Sequence, residues 1–190
     1  MTQDLNHCFP GGNGVAASAA FVLALVASMG APSAVVAQVQ ASHVSAAELM
    51  ATIEQAPEGR VSDQQIRHFD AGDINFGVGV VSRPVTDRLS AIQHHNQAEI
   101  YRVVEGRGIL VTSPDLMNAQ EADPDGSMVK TLTGPSAFGT IEGGVSQAIA
   151  PGDVLFIPAG IAHGFSEITE AITYIVYRID PDQLVGLKGR

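Results

Sequence analysis

The sequence predicts a single all-β barrel preceded by a short helical arm. Three observations carry that prediction. Apolar residues alternate with polar or small ones beyond Asp63, best in Ile74–Val81, where Ile74, Phe76, Val78 and Val80 alternate with Asn75, Gly77 and Gly79. The 190 residues include 20 Gly and 10 Pro but no Trp, a composition suited to many turns between short strands. No segment repeats another, so one barrel rather than two is expected. A hydrophobic share of 45% is ordinary for a globular protein, and the length is well above that at which a core becomes hard to build.

Residues 1–37 read as an export signal. Val15–Met29 (VAASAAFVLALVASM) is apolar and uncharged, and the small-residue run Ser33-Ala34-Val35-Val36-Ala37 follows. An apolar stretch closed by small residues at alternate positions is the pattern of a secretory signal peptide. Cleavage after Ala37 leaves Gln38 as the new terminus, with a break after Ala34 as the alternative. The stretch ahead of the apolar run carries Asp4 and no Lys or Arg, unlike the usual positively charged start. The run falls short of the roughly 20 apolar residues that a membrane span needs, so no stable membrane anchor is expected. Cys8, the sole cysteine, precedes the cleavage point, and the mature chain is then free of thiols, at home in a periplasmic or secreted setting.

Residues 38–62 form the N-terminal arm. Ser45-Ala46-Ala47-Glu48 is a capping box, with Leu49, Met50 and Ile53 on one face and Pro57 beyond the end of the helix. The barrel is expected over 63–182. Its first strands are Gln65–Phe69 and Ile74–Val81, joined by the turn Asp70-Ala71-Gly72-Asp73 and closed by Arg83-Pro84. Glu99–Val104 and Gly108–Thr112 read as a hairpin across Glu105-Gly106-Arg107. Ser113–Ser127 is polar and acidic and reads as a long surface excursion over a barrel mouth. Gly139–Ala150, Val154–Ile157, Ala162–Ser166 and Ala171–Ile179 supply further strands, with Phe156 and Phe165 as barrel filling. Pro181-Asp182 ends the last strand, and 183–190 is a C-terminal tail.

Two segments carry groups fit for chemistry. In Gly152–Glu167 (GDVLFIPAGIAHGFSE) a short apolar strand meets the bend Pro158-Ala159-Gly160, and His163 follows three residues later. Proline fixes φ and glycine tolerates the left-handed region, so such a bend holds the histidine in one place, as a metal ligand requires. The other segment is His94-His95-Asn96-Gln97-Ala98-Glu99. On a regular strand Gln93, His95 and Glu99 share a face, whereas a bulge brings His94 to the side of Glu99. Adjacent histidines cannot both point inward from a regular strand, so one of the two is a neighbour rather than a ligand.

These segments resemble the two motifs of the cupin superfamily. The first motif is glycine, five residues, His-x-His, three or four residues, Glu, six residues, Gly. Glu99, six residues and Gly106 fit it. With three residues between, His95 takes the second histidine position and Gln93 the first; with four, His94 and Ile92 take them. Thr86 or Asp87 stands in place of the opening glycine. The second motif fits from Gly152 through Pro158, Gly160 and His163, with Glu167 where asparagine is usual. The resemblance covers about Ile74–Asp180 and is strongest to small exported bacterial proteins with one cupin domain. It implies a jelly-roll barrel holding a divalent metal ion on His163, Glu99 and one of His94 or His95, with Gln93 as a weak further donor.

Two histidines and one carboxylate leave coordination positions open and suit Fe, Mn, Zn or Ni alike. The resulting expectation is an enzyme on a small molecule, an oxygenase or a metal-assisted isomerase or lyase. The rival expectation is a ligand-binding or sensor barrel whose metal site has degenerated, and edge strands pairing across a homodimer form a third. With 20 acidic against 10 basic residues and no basic cluster, electrostatic binding of nucleic acid is excluded.

Overall fold

The computed structural model describes residues 41–187; the export signal expected over 1–37 lies outside them. Helix α1 (Ala46–Glu54) opens with the capping box: the Ser45 side chain accepts from the Glu48 amide, and Glu48 accepts from the Ser45 amide. Arg67 holds the helix to the barrel through a 2.7 Å ion pair with Glu48. Among the described residues no helix is long and apolar enough to cross a membrane.

Nine antiparallel strands follow: β1 (Ser62–Asp70), β2 (Asn75–Arg83), β3 (Ala91–His94), β4 (Ala98–Ser113), β5 (Met117–Glu121), β6 (Ser136–Thr140), β7 (Val145–Ile149), β8 (Val154–Ile157) and β9 (Ala162–Asp180). Two of them are long, and they organise the rest. Strand β4 lies beside β9 along its whole length. The first part of β4 has β8 on its other edge, and its last part has β7. Strand β9 likewise meets β3 near its start and β2 near its end. The result is two faces, β1-β2-β9-β4-β8 and β5-β6-β3-β9-β4-β7, that share the bent pair β4 and β9. This is a jelly-roll barrel, the all-β class expected from the sequence.

The bend differs from the expected hairpin. Residues Glu99–Thr112 do not fold back at Gly106; they run on as one strand, and the register with β9 slips repeatedly between Val103 and Leu110. Gly106 does take positive φ (+80°), but as part of a bulged corner. A Cβ there would fall on the carbonyl of Ala171, so only glycine lets β4 and β9 turn together. The pieces Ala162–Ser166 and Ala171–Ile179 are likewise one strand, β9. Gly139–Ala150 divides instead into β6 and β7, and the excursion after Ser113 contains edge strand β5, paired with β6.

The main core lies between the two faces and is built by Tyr101, Val103, Leu110, Ile149, Leu155, Phe165, Ile172, Tyr174 and Val176, among others. Phe165 fills the barrel as expected, whereas Phe156 is exposed on edge strand β8. Val81 of β2 joins that core, while Val78 and Val80 of the expected apolar face are buried on the other side of the strand. The inward face of β2 is Gly77, Gly79 and Val81, whose register partners on β9 are Arg178, Val176 and Tyr174. Those glycines leave the interior open for polar side chains: a Cβ on Gly77 would come within 2.6 Å of the Gln65 amide nitrogen.

Candidate metal centre

Strand β3 stops at His94. The Gly160 amide donates to the His94 carbonyl at 2.7 Å and the His95 amide to that of Pro135 at 2.9 Å. These bonds pin a bend at His95 and Asn96, and β4 starts afresh at Ala98. The interruption resets the alternation of faces, so His94 and Glu99 both enter the barrel. His163 arrives from β9, just past the Gly160 bend (φ +76°) and beside Ile92 of β3. Glu99 therefore comes from one face of the barrel and the two histidines from the other.

Ligand atoms of His94, Glu99 and His163 lie within 4.8 Å of one another, and all three residues are buried. The Nε2 atoms of His94 and His163 stand 3.5 Å and 3.3 Å from Glu99 Oε2. Their other ring nitrogens fix the tautomer. His163 Nδ1 faces the Ile161 carbonyl at 3.0 Å, which only accepts, so Nδ1 carries the proton. His94 Nδ1 faces Ser136 Oγ at 2.8 Å, and that hydroxyl donates to the carbonyls of Gly134 or Thr133, so it accepts from His94. In the neutral rings both Nε2 atoms then present lone pairs toward a carboxylate. Despite its closeness to Glu99, His163 Nε2 is buried without a hydrogen bond among the described residues.

The carboxylate is held from behind. Tyr101 donates to Glu99 Oε2 at 2.7 Å and Arg178 donates to Oε1 at 2.9 Å. Arg178 also donates to Gln65 at 2.7 Å and to Asp63 at 2.6 Å, so its guanidinium is engaged on three sides. Burial by itself would raise the Glu99 pKa, but His94 and His163, where their Nε2 atoms carry protons, and the Arg178 guanidinium hold the carboxyl well below the usual range. Burial, reinforced by the charge on Glu99, pushes the Tyr101 phenol well up, and its proton stays in place near neutrality.

Of the expected ligands, then, the structure brings His94, Glu99 and His163 together and sets His95 apart. His95 turns outward at the bend and meets the exposed carboxylate of Glu121 at 2.8 Å. Gln93, expected as a weak donor, gives its amide to the Gly160 carbonyl at 2.8 Å and so braces the bend. Sequence reasoning missed Arg178 and Ser136. Arg178 had left a signal, because it shares the inward face of its strand with Tyr174 and Val176 at period two. Ser136 left none, since a serine after Gly134-Pro135 reads as a turn residue.

No family model and no curated protein matches the sequence. Solved structures do show similarity. A Bacillus halodurans protein is 15% identical, with 78% of this chain and 89% of that one covered and a TM-score of 0.44. The DMSP lyase DddQ of Ruegeria pomeroyi is 17% identical with a TM-score of 0.42; 68% of this chain is covered, and only 51% of that one. An RmlC-like cupin from Desulfovibrio desulfuricans is 14% identical, with 75% and 97% covered and a TM-score of 0.40. The strand topology gives the jelly-roll barrel by itself.

Proposed function

We propose that this protein is a metal-dependent cupin acting on a small molecule, with a divalent ion held by His94, Glu99 and His163. The observation that carries the proposal is His163 Nε2, a buried lone pair with no hydrogen bond, facing a carboxylate oxygen. An orphaned buried acceptor is costly unless something else satisfies it, and a cation does so. Two imidazoles and a carboxylate with fixed orientation fit Fe, Mn, Zn or Ni and leave positions free for a ligand. When bound there, such an ion supplies Lewis acidity to a substrate oxygen, as an isomerase, lyase or oxygenase requires.

The chain's own residues do the rest. Ser136 and the Ile161 carbonyl set the two imidazole tautomers. Tyr101 and Arg178 orient Glu99, and the Arg178 charge favours its ionised form. Val103, Leu155 and Ile157 belong to the buried apolar core between the two faces. The apolar leader at Val15–Met29 supports a place of action outside the cytoplasm.

A second reading, a ligand-binding barrel without metal chemistry, is favoured by the Arg178–Glu99 ion pair, which already balances the carboxylate. Metal content separates the two. Protein purified without chelator should carry near-stoichiometric Fe, Mn, Zn or Ni, and His163→Ala and Glu99→Ala should each lose it while remaining folded. Wild-type protein that binds no divalent ion even after reconstitution would leave only the second reading.

A further inference from the structure

The same barrel contains a cavity of about 280 Å³ that reaches His163. That is close to the lower end of the roughly 300–1,000 Å³ usual for ligand pockets, so its occupant is small. Much of its wall is apolar, from Val61, Ile92, Met128, Leu132 and Phe138. Two polar side chains besides His163 stand out on that wall, Arg83 and Asp63.

Arg83 follows Val81 on the inward face of β2. Its Nε donates to the Tyr174 hydroxyl at 3.0 Å, and its guanidinium carbon lies 5.5 Å from the centre of the Phe165 ring. Among the described residues its two terminal amines have no hydrogen-bond or ion-pair partner. They amount to a planar fork of free donors on the wall of a ligand-sized cavity, the geometry that matches a carboxylate. Asp63 offers the opposite group. Its Oδ2 is taken by Arg178 at 2.6 Å, while its Oδ1 is buried with no hydrogen-bond partner among the described residues. Closed off in this way, Asp63 counters the charge of Arg83 without offering the cavity an open acceptor.

We infer that this cavity is the substrate pocket of the proposed metal centre and that it takes a small carboxylic acid. The substrate carboxylate pairs with the terminal amines of Arg83. Its carbons lie against the apolar wall. The charges agree: the guanidiniums of Arg83 and Arg178 offset Asp63 and Glu99, and a divalent ion on the cluster then makes the pocket net positive. This local field opposes the repulsion of an anion by the protein's net charge of -10. The inference rests on the proposed metal site for its chemistry, but not for recognition of the acid.

Calorimetric titration of the full chain, zinc-loaded and metal-free, with a panel of carboxylic acids of two to five carbons tests it. For each acid that binds, the matching amide serves as the control. At least one acid should bind, with its amide weaker by on the order of tenfold to a hundredfold. Arg83→Met should weaken the acid by a similar factor while circular dichroism and metal content stay as in the wild type. Metal binding with no acid bound, an amide as tight as its acid, or an Arg83→Met variant of unchanged affinity would overturn the inference. Absence of metal, with an Arg83-dependent acid still bound, would instead sink the metal centre and leave the pocket standing.

Discussion

Replacing Arg178 by Met tests whether the polar interior is one connected network. The substitution keeps much of the aliphatic stem, so little cavity is opened, but it deletes three charge-assisted contacts, to Glu99 (2.9 Å), Gln65 (2.7 Å) and Asp63 (2.6 Å). Both Arg178 and Glu99 are almost wholly buried, at 2% and 1% exposure, so solvent does little to screen the loss. Breaking a buried pair by removing one partner costs about 3–5 kcal/mol. Glu99 can limit this by taking up a proton, at about 1.4 kcal/mol for each unit by which the pH exceeds its pKa in the variant. The metal-free variant should therefore lose about 3–4 kcal/mol near pH 7, and distinctly less near pH 5, where that proton is easier to gain. Urea unfolding of the chelator-treated wild type and variant at both pH values reads these differences directly. A loss under about 1 kcal/mol near pH 7, or one that does not shrink at the lower pH, would refute the reasoning.

Further outcomes follow from other parts of the barrel. Gly106→Asn, harmless in a two-residue hairpin turn, should cost about 2–3 kcal/mol in urea unfolding because its Cβ meets the Ala171 carbonyl of β9. Wild-type stability would refute the bulged corner. The folded-state pKa of Glu99 lies below its ordinary value of 4.5, so its stabilising contribution is complete above about that pH. It fades as the pH falls toward the folded-state pKa; urea midpoints should drop on acidification, and Glu99→Gln should flatten that drop. Ser136→Ala removes the acceptor that fixes the His94 tautomer and should weaken zinc affinity roughly 10–100-fold, as measured by competition with a chromophoric chelator. Ser45→Ala should cost about 1 kcal/mol through the lost cap, seen in the unfolding midpoint.

Some features were legible in the sequence and others were not, for identifiable reasons. The N-terminus of α1 follows from local chemistry, since Ser45 and Glu48 satisfy each other's amides without outside help. Strand β8 and the bend at Pro158 and Gly160 are equally local, and Val154–Ile157 was read to the residue. The long strands were not legible. Gly106 shows the same positive φ in a hairpin and in a bulge, and only the pairing partner tells them apart; here the partner lies more than sixty residues downstream in β9. The choice between His94 and His95 turned on a strand break held by Gly160 and Pro135, residues remote in sequence from the pair. Arg178 shares a face with core residues, but its partners Glu99 and Asp63 stand 79 and 115 positions away. Local rules specify turns and caps; the wiring of a barrel interior is set by pairings between distant segments.

Strand β9 supplies His163 near its beginning and Arg178 near its end, and it is the last strand among the described residues. While the protein is being synthesised, Glu99 and His94 emerge early and wait without either partner. Nothing resembling the complete cluster exists until the C-terminal part of the chain is free to join the sheet. If the cluster holds an ion as proposed, a nascent chain offers at most a weak two-ligand site, and tight loading is deferred to the moment at which the barrel closes. On that reading the order of residues along the chain acts as a timer, setting when an ion can be acquired.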